Sequence, residues 1–177
     1  MTEFAISPAS AADKAKLLEL WHAGWHEAHA RLVPEGLLAF RTLGHFDLWF
    51  EQSRDVVFVA RGDGLMGFVA ISGRELSKLY VSSAARGTPV ARQLLGYAER
   101  YILAHGYEAA ELLCTDGNLR AQRFYEREGW ALAEVMPEAL WMPAGCSVRV
   151  ETPTRRYRKS LTADGSAICK GGLGAWQ

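Results

Sequence analysis

The amino-acid sequence predicts an α+β fold with one central mixed sheet, antiparallel through its first strands and parallel at its centre, and helices on both faces. A glycine-rich turn separates two β-branched or apolar runs in residues 56–72, which predicts an antiparallel hairpin. A strand at residues 75–82, an amphipathic helix and a second strand then follow. That order makes a βαβ unit, whose strands are parallel and whose crossover is right-handed.

Three elements precede the hairpin. Residues 4–6 are a strand candidate. A capping-box pattern begins at Ser10, and apolar side chains then recur at helical spacing, so the first helix is predicted to end near Arg31. Residues 37–52 form a second helical stretch, in which Gly44 is the expected break.

The rest of the βαβ unit and the elements after it follow from helical periodicity and from turn residues. A helix is predicted over residues 90–105, and the strand of residues 109–115 leads into a further helix over residues 118–128. Two more strands are predicted at residues 130–135 and 147–159, with a proline-containing loop between them.

The composition is that of an ordinary globular chain and weighs against several classes of function. Lysine plus arginine number 20 and aspartate plus glutamate number 20, and this zero formal charge disfavours a nucleic-acid binder that relies on phosphate neutralisation. No apolar run approaches a membrane span, and no secretory signal is visible. The cysteines lack metal-type spacing, so reduced thiols in a cytoplasmic protein are expected. Residues 1–161 are predicted as one domain and residues 162–177 as a glycine-rich tail.

The loop between the strand that ends near Val81 and the following helix has the features of an anion site. A helix start has unpaired N–H groups and the positive end of the helix dipole, which together attract phosphate. Small residues surround Gly87, so a bulky anion can approach the backbone. Thr88 is a good N-cap and Pro89 a good first helical residue. A capped helix after a loop of small residues is the alternative interpretation.

A second pattern follows at the distance that a βαβ unit requires. It reads Asn118-x-x-Ala121-x-x-Phe124-Tyr125-x-x-x-Gly129-Trp130. Together with Val81, four residues and then Arg86-x-x-Pro89-x-Ala91, this order resembles the GNAT superfamily of acetyl-CoA-dependent N-acetyltransferases. The resemblance covers residues 56–159, and the strand order predicted above agrees with it.

The resemblance implies a GNAT-like sheet, acetyl-CoA (coenzyme A) as cofactor and a particular set of contacts to it. The family's pyrophosphate loop is (Gln/Arg)-x-x-Gly-x-(Gly/Ala), and its later helix is Asn-x-x-Ala-x-x-(Phe/Leu)-Tyr. The cofactor-binding residues that this resemblance implies are Tyr80, Val81, Arg86, Gly87, Thr88, Pro89, Val90, Ala91, Asn118, Ala121 and Phe124.

Pro89 departs from the family pattern, which usually has glycine at this position. Proline has no N–H, so one donor to the pyrophosphate is missing. The loss of one charge-assisted hydrogen bond weakens binding by roughly 1.5–3 kcal/mol. Weakened but retained cofactor binding is therefore expected, and a degenerate relative that binds acyl-CoA without turnover is the rival interpretation.

Two residues are expected to transfer protons. Tyr125 occupies the tyrosine of the family's helix motif, where the phenol protonates the leaving thiolate as a general acid; packing in the core is the alternative. Glu75 lies six residues before Val81, the position of the base in the histone-acetylating branch; a solvated glutamate is equally consistent. Strand alternation places Glu75 on the same face as Val81. The resemblance also implies that a backbone N–H near Tyr80 or Val81 polarises the thioester carbonyl.

The predicted reaction is acetyl transfer from acetyl-CoA to a primary amine of a small molecule, by direct attack in a ternary complex. A protein or peptide acceptor is the alternative, and the sequence does not identify the amine. His22, His26 and His29 lie close together on the first helix, but no cysteine or carboxylate set accompanies them, so no metal site is predicted. No nucleic-acid or membrane partner is expected. Edge strands in residues 147–159 leave a homodimer open.

Overall fold

The computed structural model, which describes residues 3–161, contains one mixed sheet of seven strands. The strands are β1 (Ala5–Pro8), β2 (Val56–Arg61), β3 (Leu65–Ser72), β4 (Glu75–Val81), β5 (Ala109–Thr115), β6 (Ala131–Ala139) and β7 (Glu151–Ser160). They lie in the order β1-β2-β3-β4-β5-β7-β6. Only β4 and β5 pair in parallel, and every other neighbouring pair is antiparallel. The predicted mixed sheet with a parallel centre is confirmed. The predicted tail, residues 162–177, lies outside the described residues.

Four α-helices confirm the predicted helical segments. They are α1 (Lys14–His29), α2 (Leu43–Gln52), α3 (Val90–Ala104) and α4 (Leu119–Arg127). The predicted break at Gly44 is wrong, because the 3₁₀ turn of Glu35–Phe40 ends earlier and Thr42 caps α2. The Thr42 side chain accepts a hydrogen bond from the amide of His45, which fixes the start of the helix ahead of Gly44.

Helices cover both faces of the sheet, and each face has its own core. Consecutive residues of β3 show the division, since Phe68 belongs to the core under α1 and α2 and Val69 to the core under α3 and α4. Trp21 and Phe46, which are almost fully buried, fill the first core, with ring centroids 4.7 Å apart in an edge-to-face arrangement. Leu94, which is fully buried, lies in the second core.

A β-bulge at Ser77 interrupts β4. The register against β3 pairs Lys78 with Ala70 but Leu76 with Ile71, so Ser77 has no partner. Leu76 therefore packs in the α3 core together with Leu79 and Val81. The prediction that regular alternation places Glu75 and Val81 on one face is wrong, because the bulge changes the face on which the residues before Ser77 lie.

The strands β4 and β5 diverge after a short paired stretch. Their parallel ladder contains only Glu75 with Glu111 and Leu76 with Leu112. Towards their carboxyl ends the two strands separate, and this gap opens between α1 on one face and α4 on the other. An opening at the carboxyl ends of parallel strands is a common place for a ligand site.

The last two strands differ from the prediction in order and length. β7 lies between β5 and β6, so residues 147–159 are not at the sheet edge as predicted. The strand at this edge is β6. β6 also runs through Pro137, which was predicted to lie in a loop. An edge strand accepts proline because one side of its backbone needs no ladder hydrogen bond. Within residues 3–161, no helix is long and apolar enough to cross a membrane.

Candidate active site

A cavity of about 300 Å³ occupies the gap between β4 and β5. Most of the predicted cofactor-binding residues line it, and Tyr125 does as well. Those that line it are Tyr80, Val81, Arg86, Gly87, Thr88, Ala91, Asn118, Ala121 and Phe124. Pro89 and Val90, also predicted to bind the cofactor, do not line it, since Pro89 is exposed and Val90 is fully buried in the α3 core. The two sequence motifs therefore meet at one site.

The loop before α3 is braced by its own side chains. The hydroxyl of Ser82 accepts a hydrogen bond from the amide of Ala85 at 3.2 Å, which closes a 3₁₀ turn. Gly87 has φ of +74°, a conformation that favours glycine. The hydroxyl of Thr88 donates to the carbonyl of Ala85 at 2.6 Å and accepts from the amide of Val90 at 3.4 Å. The helix begins at Val90, as its periodicity predicts, but Pro89 takes the capping position that was predicted for Thr88.

A carboxylate on α1 joins two arginines at the edge of the cavity. Glu27 accepts hydrogen bonds from Arg86 at 2.7 and 2.5 Å and from Arg120 at 2.9 Å. These hydrogen bonds, with Arg86 first, lower the pKa of the Glu27 carboxyl. We call these three residues the Glu27 bridge. In this bridge, the loop before α3 and the start of α4 place two guanidinium groups close enough to contact the same carboxylate.

Helix α4 places Tyr125 in the lining of the cavity. Asn118 caps the helix, since its side chain accepts a hydrogen bond from the amide of Ala121 at 3.3 Å. Tyr125 is buried, and its ring lies 5.4 Å from that of Phe124 and 6.2 Å from that of Trp130. Burial raises the pKa of the Tyr125 phenol far above its usual value. The phenol is therefore neutral and retains its proton.

Two further side chains in the cavity are also held in their protonated forms. Burial raises the pKa of the Cys114 thiol to about 12, so it is not a thiolate at neutral pH. Burial likewise raises the pKa of the Tyr80 phenol. The Tyr80 ring lies so close to α1 that a Cβ at Gly24 would fall 2.7 Å from it. Glycine at position 24 therefore lets α1 approach β4.

A buried ion pair stands behind the α1 side of the cavity. Lys78 and Asp55 are 2.5 Å apart and each side chain is 11% exposed. The Ser77 hydroxyl at the bulge donates a hydrogen bond to Asp55 at 2.7 Å. Burial alone would raise the pKa of Asp55, but Lys78 and Ser77 hold it below its usual range. The Lys78 ammonium also lies 5.1 Å from the centre of the Trp21 ring.

Arg41 is a buried cation among the tryptophans of the α1 side. It is only 1% exposed, and its guanidinium lies 5.1–5.9 Å from the ring centres of Trp25, Trp49 and Trp141. It donates to the carbonyls of Phe40 at 2.9 Å and Trp141 at 2.8 Å. Burial lowers the pKa of Arg41 to about 10. Carbonyl oxygens and tryptophan faces therefore take the place of a carboxylate partner.

The three histidines of α1 do not form one ligand set. The Nε2 atoms of His22 and His26 lie 3.1 and 2.7 Å from the Arg41 carbonyl oxygen. His29 points elsewhere, stacks on Trp25 and lines the cavity. Within residues 3–161, no group of three His, Cys, Asp or Glu side chains is arranged to hold a metal ion.

Glu75, the predicted base, lies outside the cavity lining. It is half-buried at the start of β4 and pairs across the sheet with Glu111. Burial raises its pKa, and the charges of Glu111 and Asp55 raise it further. Sequence reasoning missed the Glu27 bridge and the buried Lys78, because spacing along one element does not show which charged residues from distant elements converge.

The sequence is similar to a known family and to a known enzyme. The sequence model described as the acetyltransferase (GNAT) family matches residues 17–130. A mycothiol acetyltransferase from Corynebacterium glutamicum is 34% identical over 91 residues, covering 49% of this chain and 31% of that protein. The chain thus spans under a third of the length of this relative.

Solved structures with the same fold cover nearly the whole chain. A GCN5-related N-acetyltransferase from Rhodopseudomonas palustris has a TM-score of 0.69 at 18% identity, over 91% of this chain and 98% of that one. A PaiA N-acetyltransferase from Thermoplasma acidophilum, solved in complex with coenzyme A, has a TM-score of 0.65 at 17% identity, over 89% and 99%. At these identities the likeness establishes the fold.

Proposed function

The chain belongs to the GNAT family of acetyltransferases, and we propose that it transfers the acetyl group of acetyl-CoA to a primary amine of a small molecule. The amine attacks directly while both ligands are bound. The observation behind this proposal is the cavity between β4 and β5, where the loop before α3, the start of α4 and Tyr125 come together.

The charge of the cavity suits an anionic cofactor. Its cationic side chains are Lys78, Arg86, Arg120 and Arg127, and none of the described residues that line it is a carboxylate. The relative from Thermoplasma acidophilum binds coenzyme A on the same fold. We infer that the loop before α3 and the first turn of α4 hold acetyl-CoA, which supplies a thioester carbonyl carbon for attack. Arg86 and Arg120 supply positive charge for its phosphates.

Tyr125 is the proposed general acid. Its phenol lies in the cavity and is neutral, so it has a proton to give to the thiolate that leaves. The backbone near Tyr80 and Val81, at the end of β4, lies on the same cavity surface and supplies N–H groups that can polarise the carbonyl.

The α1 side favours a small acceptor over a peptide. The segment after β6 packs on the α1 core through Leu140, Met142 and Val150, which encloses that side of the site. The absence of a lining carboxylate among the described residues also disfavours a polycationic amine, because nothing would compensate its additional charges.

Pro89 favours a second candidate function, a module that binds acyl-CoA without turnover. The proline stands at the capping position of α3, where a glycine amide would point at the pyrophosphate in the family pattern. This module would bind coenzyme A but release no thiol.

Thiol release from acetyl-CoA with a panel of primary amines, together with calorimetric titration of coenzyme A, tests the proposal. We expect binding at micromolar to millimolar cofactor and amine-dependent thiol release above the rate without amine. Binding without release on any amine would establish the module instead. The absence of binding at millimolar coenzyme A would overturn both functions.

A further inference from the structure

We propose that His29 is the general base that takes the proton from the attacking amine, an inference that rests on the proposed acetyl transfer. His29 is the last residue of α1 and lines the cavity that also holds Tyr125. Neither the family motifs nor the spacing of residues around β4 points to it.

The cavity offers few other proton acceptors. Among the described residues that line it there is no carboxylate, and His29 is the only imidazole. The thiol of Cys114 and the phenols of Tyr80 and Tyr125 keep their protons because burial raises their pKa values. Lys78 is bound to Asp55 as an ammonium. Glu75 does not line the cavity.

The local geometry assigns the two ring nitrogens of His29 to different roles. Nδ1 lies 3.1 Å from the backbone carbonyl of Trp25, one helical turn earlier. A carbonyl oxygen only accepts, so Nδ1 carries the proton and Nε2 carries the lone pair. The imidazole stacks on the Trp25 indole, with ring centres 5.3 Å apart and planes 29° apart, which fixes its orientation.

Burial, together with a nearby positive charge, lowers the pKa of His29 and so favours its unprotonated form. Burial lowers the pKa of the imidazole, and the charge of Arg41, which also lies against the Trp25 ring, lowers it further, although the hydrogen bond to Trp25 acts in the opposite direction. Lys78 from β4, Arg86 from the loop before α3 and Arg120 and Arg127 from α4 line the same cavity and are also cations. Glu27, two residues earlier on α1, is the nearby carboxylate, and two arginines engage it.

The proposed step moves one proton to His29 and one proton from Tyr125. The neutral amine nitrogen forms a bond to the acetyl carbonyl carbon, and the carbon–sulfur bond breaks with its electron pair on sulfur. Nε2 of His29 takes the proton that the nitrogen loses, and Tyr125 gives a proton to the thiolate. Solvent then returns a proton to Tyr125 and accepts one from His29, so the net products are the N-acetyl amide and the free thiol.

His105 provides a matched control on the other side of the molecule. It follows the last residue of α3, its Nδ1 lies 2.8 Å from the carbonyl of Tyr101 one turn earlier, and its ring stacks on Tyr101 with planes 29° apart. His105 is exposed and does not line the cavity. The two histidines share local geometry and differ in their surroundings.

The test measures kcat/KM against pH for the wild type, His29→Gln and His105→Gln, with the best amine of the panel. We expect His29→Gln to lower kcat/KM at neutral pH by about 10²-fold or more, and His105→Gln to leave it unchanged. In the wild type the rate should fall as pH drops through the pKa of His29, below the usual value of about 6.5. That acidic limb should disappear in His29→Gln, while coenzyme A affinity measured by calorimetry stays within about twofold, since a base contributes to the transition state.

A second variant distinguishes the loss of the base from the loss of the imidazole's packing on Trp25. His29→Ala leaves a space the size of an imidazole, so added imidazole should raise the rate of this variant about tenfold or more. Imidazole should not raise the rate of His105→Ala. An intact acidic limb in His29→Gln, or loss of rate with no rescue, would overturn the base role. Wild-type protein that acetylates no amine would instead overturn the proposed function, and this inference with it.

Discussion

The two sides of the cavity are built in different ways. One, the cofactor wall, consists of residues 82–91 and α4. The other, the α1 wall, consists of α1 with Arg41 and the side chains of β4 and α2 behind it. The cofactor wall depends on local backbone features, such as the positive φ of Gly87 and the Asn118 cap. The α1 wall depends on partners far apart in sequence, such as Arg41 and the carbonyl of Trp141.

The walls also differ in how they treat positive charge. On the cofactor wall, Arg86 and Arg120 are partly exposed and share one carboxylate, so an anionic ligand can replace it. On the α1 wall, Arg41 is buried and surrounded by tryptophans and carbonyls. Changes to the cofactor wall should therefore alter the affinity for coenzyme A and the rate of turnover. Changes to the α1 wall should mainly alter the free energy of unfolding.

Tyr125→Phe should produce the largest effect on the cofactor wall. The change removes the proton donor but keeps the ring, so turnover should fall by about 10²–10⁴-fold, while coenzyme A affinity stays within about twofold. Steady-state kinetics and calorimetry measure the two quantities. Tyr101→Phe, on α3 outside the cavity, is the control and should be neutral. A Tyr125→Phe enzyme with wild-type turnover would remove this residue from the mechanism.

Arg41→Ala should show that the α1 wall is a packing unit. Loss of the guanidinium removes hydrogen bonds to Phe40 and Trp141 and leaves a space among three tryptophans, so the free energy of unfolding should drop by about 3 kcal/mol. Urea denaturation measures this drop.

Arg100→Ala is the matched control, because Arg100 also lies over an aromatic ring, that of Tyr97 at 5.9 Å, but is exposed. It should cost under about 1 kcal/mol. Equal losses for the two arginines would mean that burial does not distinguish the α1 wall.

Pro89→Gly and Pro89→Ala should increase the affinity of the cofactor wall for coenzyme A. Both restore an N–H at the start of α3, so coenzyme A should bind about tenfold more tightly. This gain is the free energy of one charge-assisted hydrogen bond, reduced by the entropy cost of ordering a loop that is more flexible without proline. Calorimetric titration gives the dissociation constants. If neither variant binds more tightly, the amide at this position does not contact the cofactor.

Glu27→Gln should have the smallest effect and the strongest dependence on salt. Without the carboxylate, Arg86 and Arg120 no longer have to break their ion pairs with Glu27 before they contact the phosphates. Coenzyme A should therefore bind about threefold more tightly at low salt. The gain should shrink in high salt, where surface charges are screened. Glu35→Gln, an exposed glutamate away from the cavity, is the control. Weaker binding by Glu27→Gln would show that Glu27 orients the arginines rather than competing for them.

The contrast between the walls also explains which features the sequence could predict. Periodicity and turn residues were enough to predict that each strand and α-helix exists, but not the start of α2 or the extent of β6. The Gly87 loop could be predicted because its role depends on neighbours within a few residues. The Ser77 bulge escaped because strand alternation assumes an unbroken register. The site of Arg41 escaped because its partners come from α1, α2 and the segment after β6.

The position of Glu27 and His29 on the same helix end has a thermodynamic consequence. Glu27 contacts Arg86 and Arg120, the arginines proposed to bind the cofactor phosphates, and His29, two residues later, lines the cavity. An anion that displaces Glu27 changes the contacts of this last helical turn. Linkage is reciprocal, so any factor by which the cofactor alters acceptor affinity is the factor by which the acceptor alters cofactor affinity. The turn of α1 that contains both residues would then couple the affinities of the two substrates equally, whichever of them binds first.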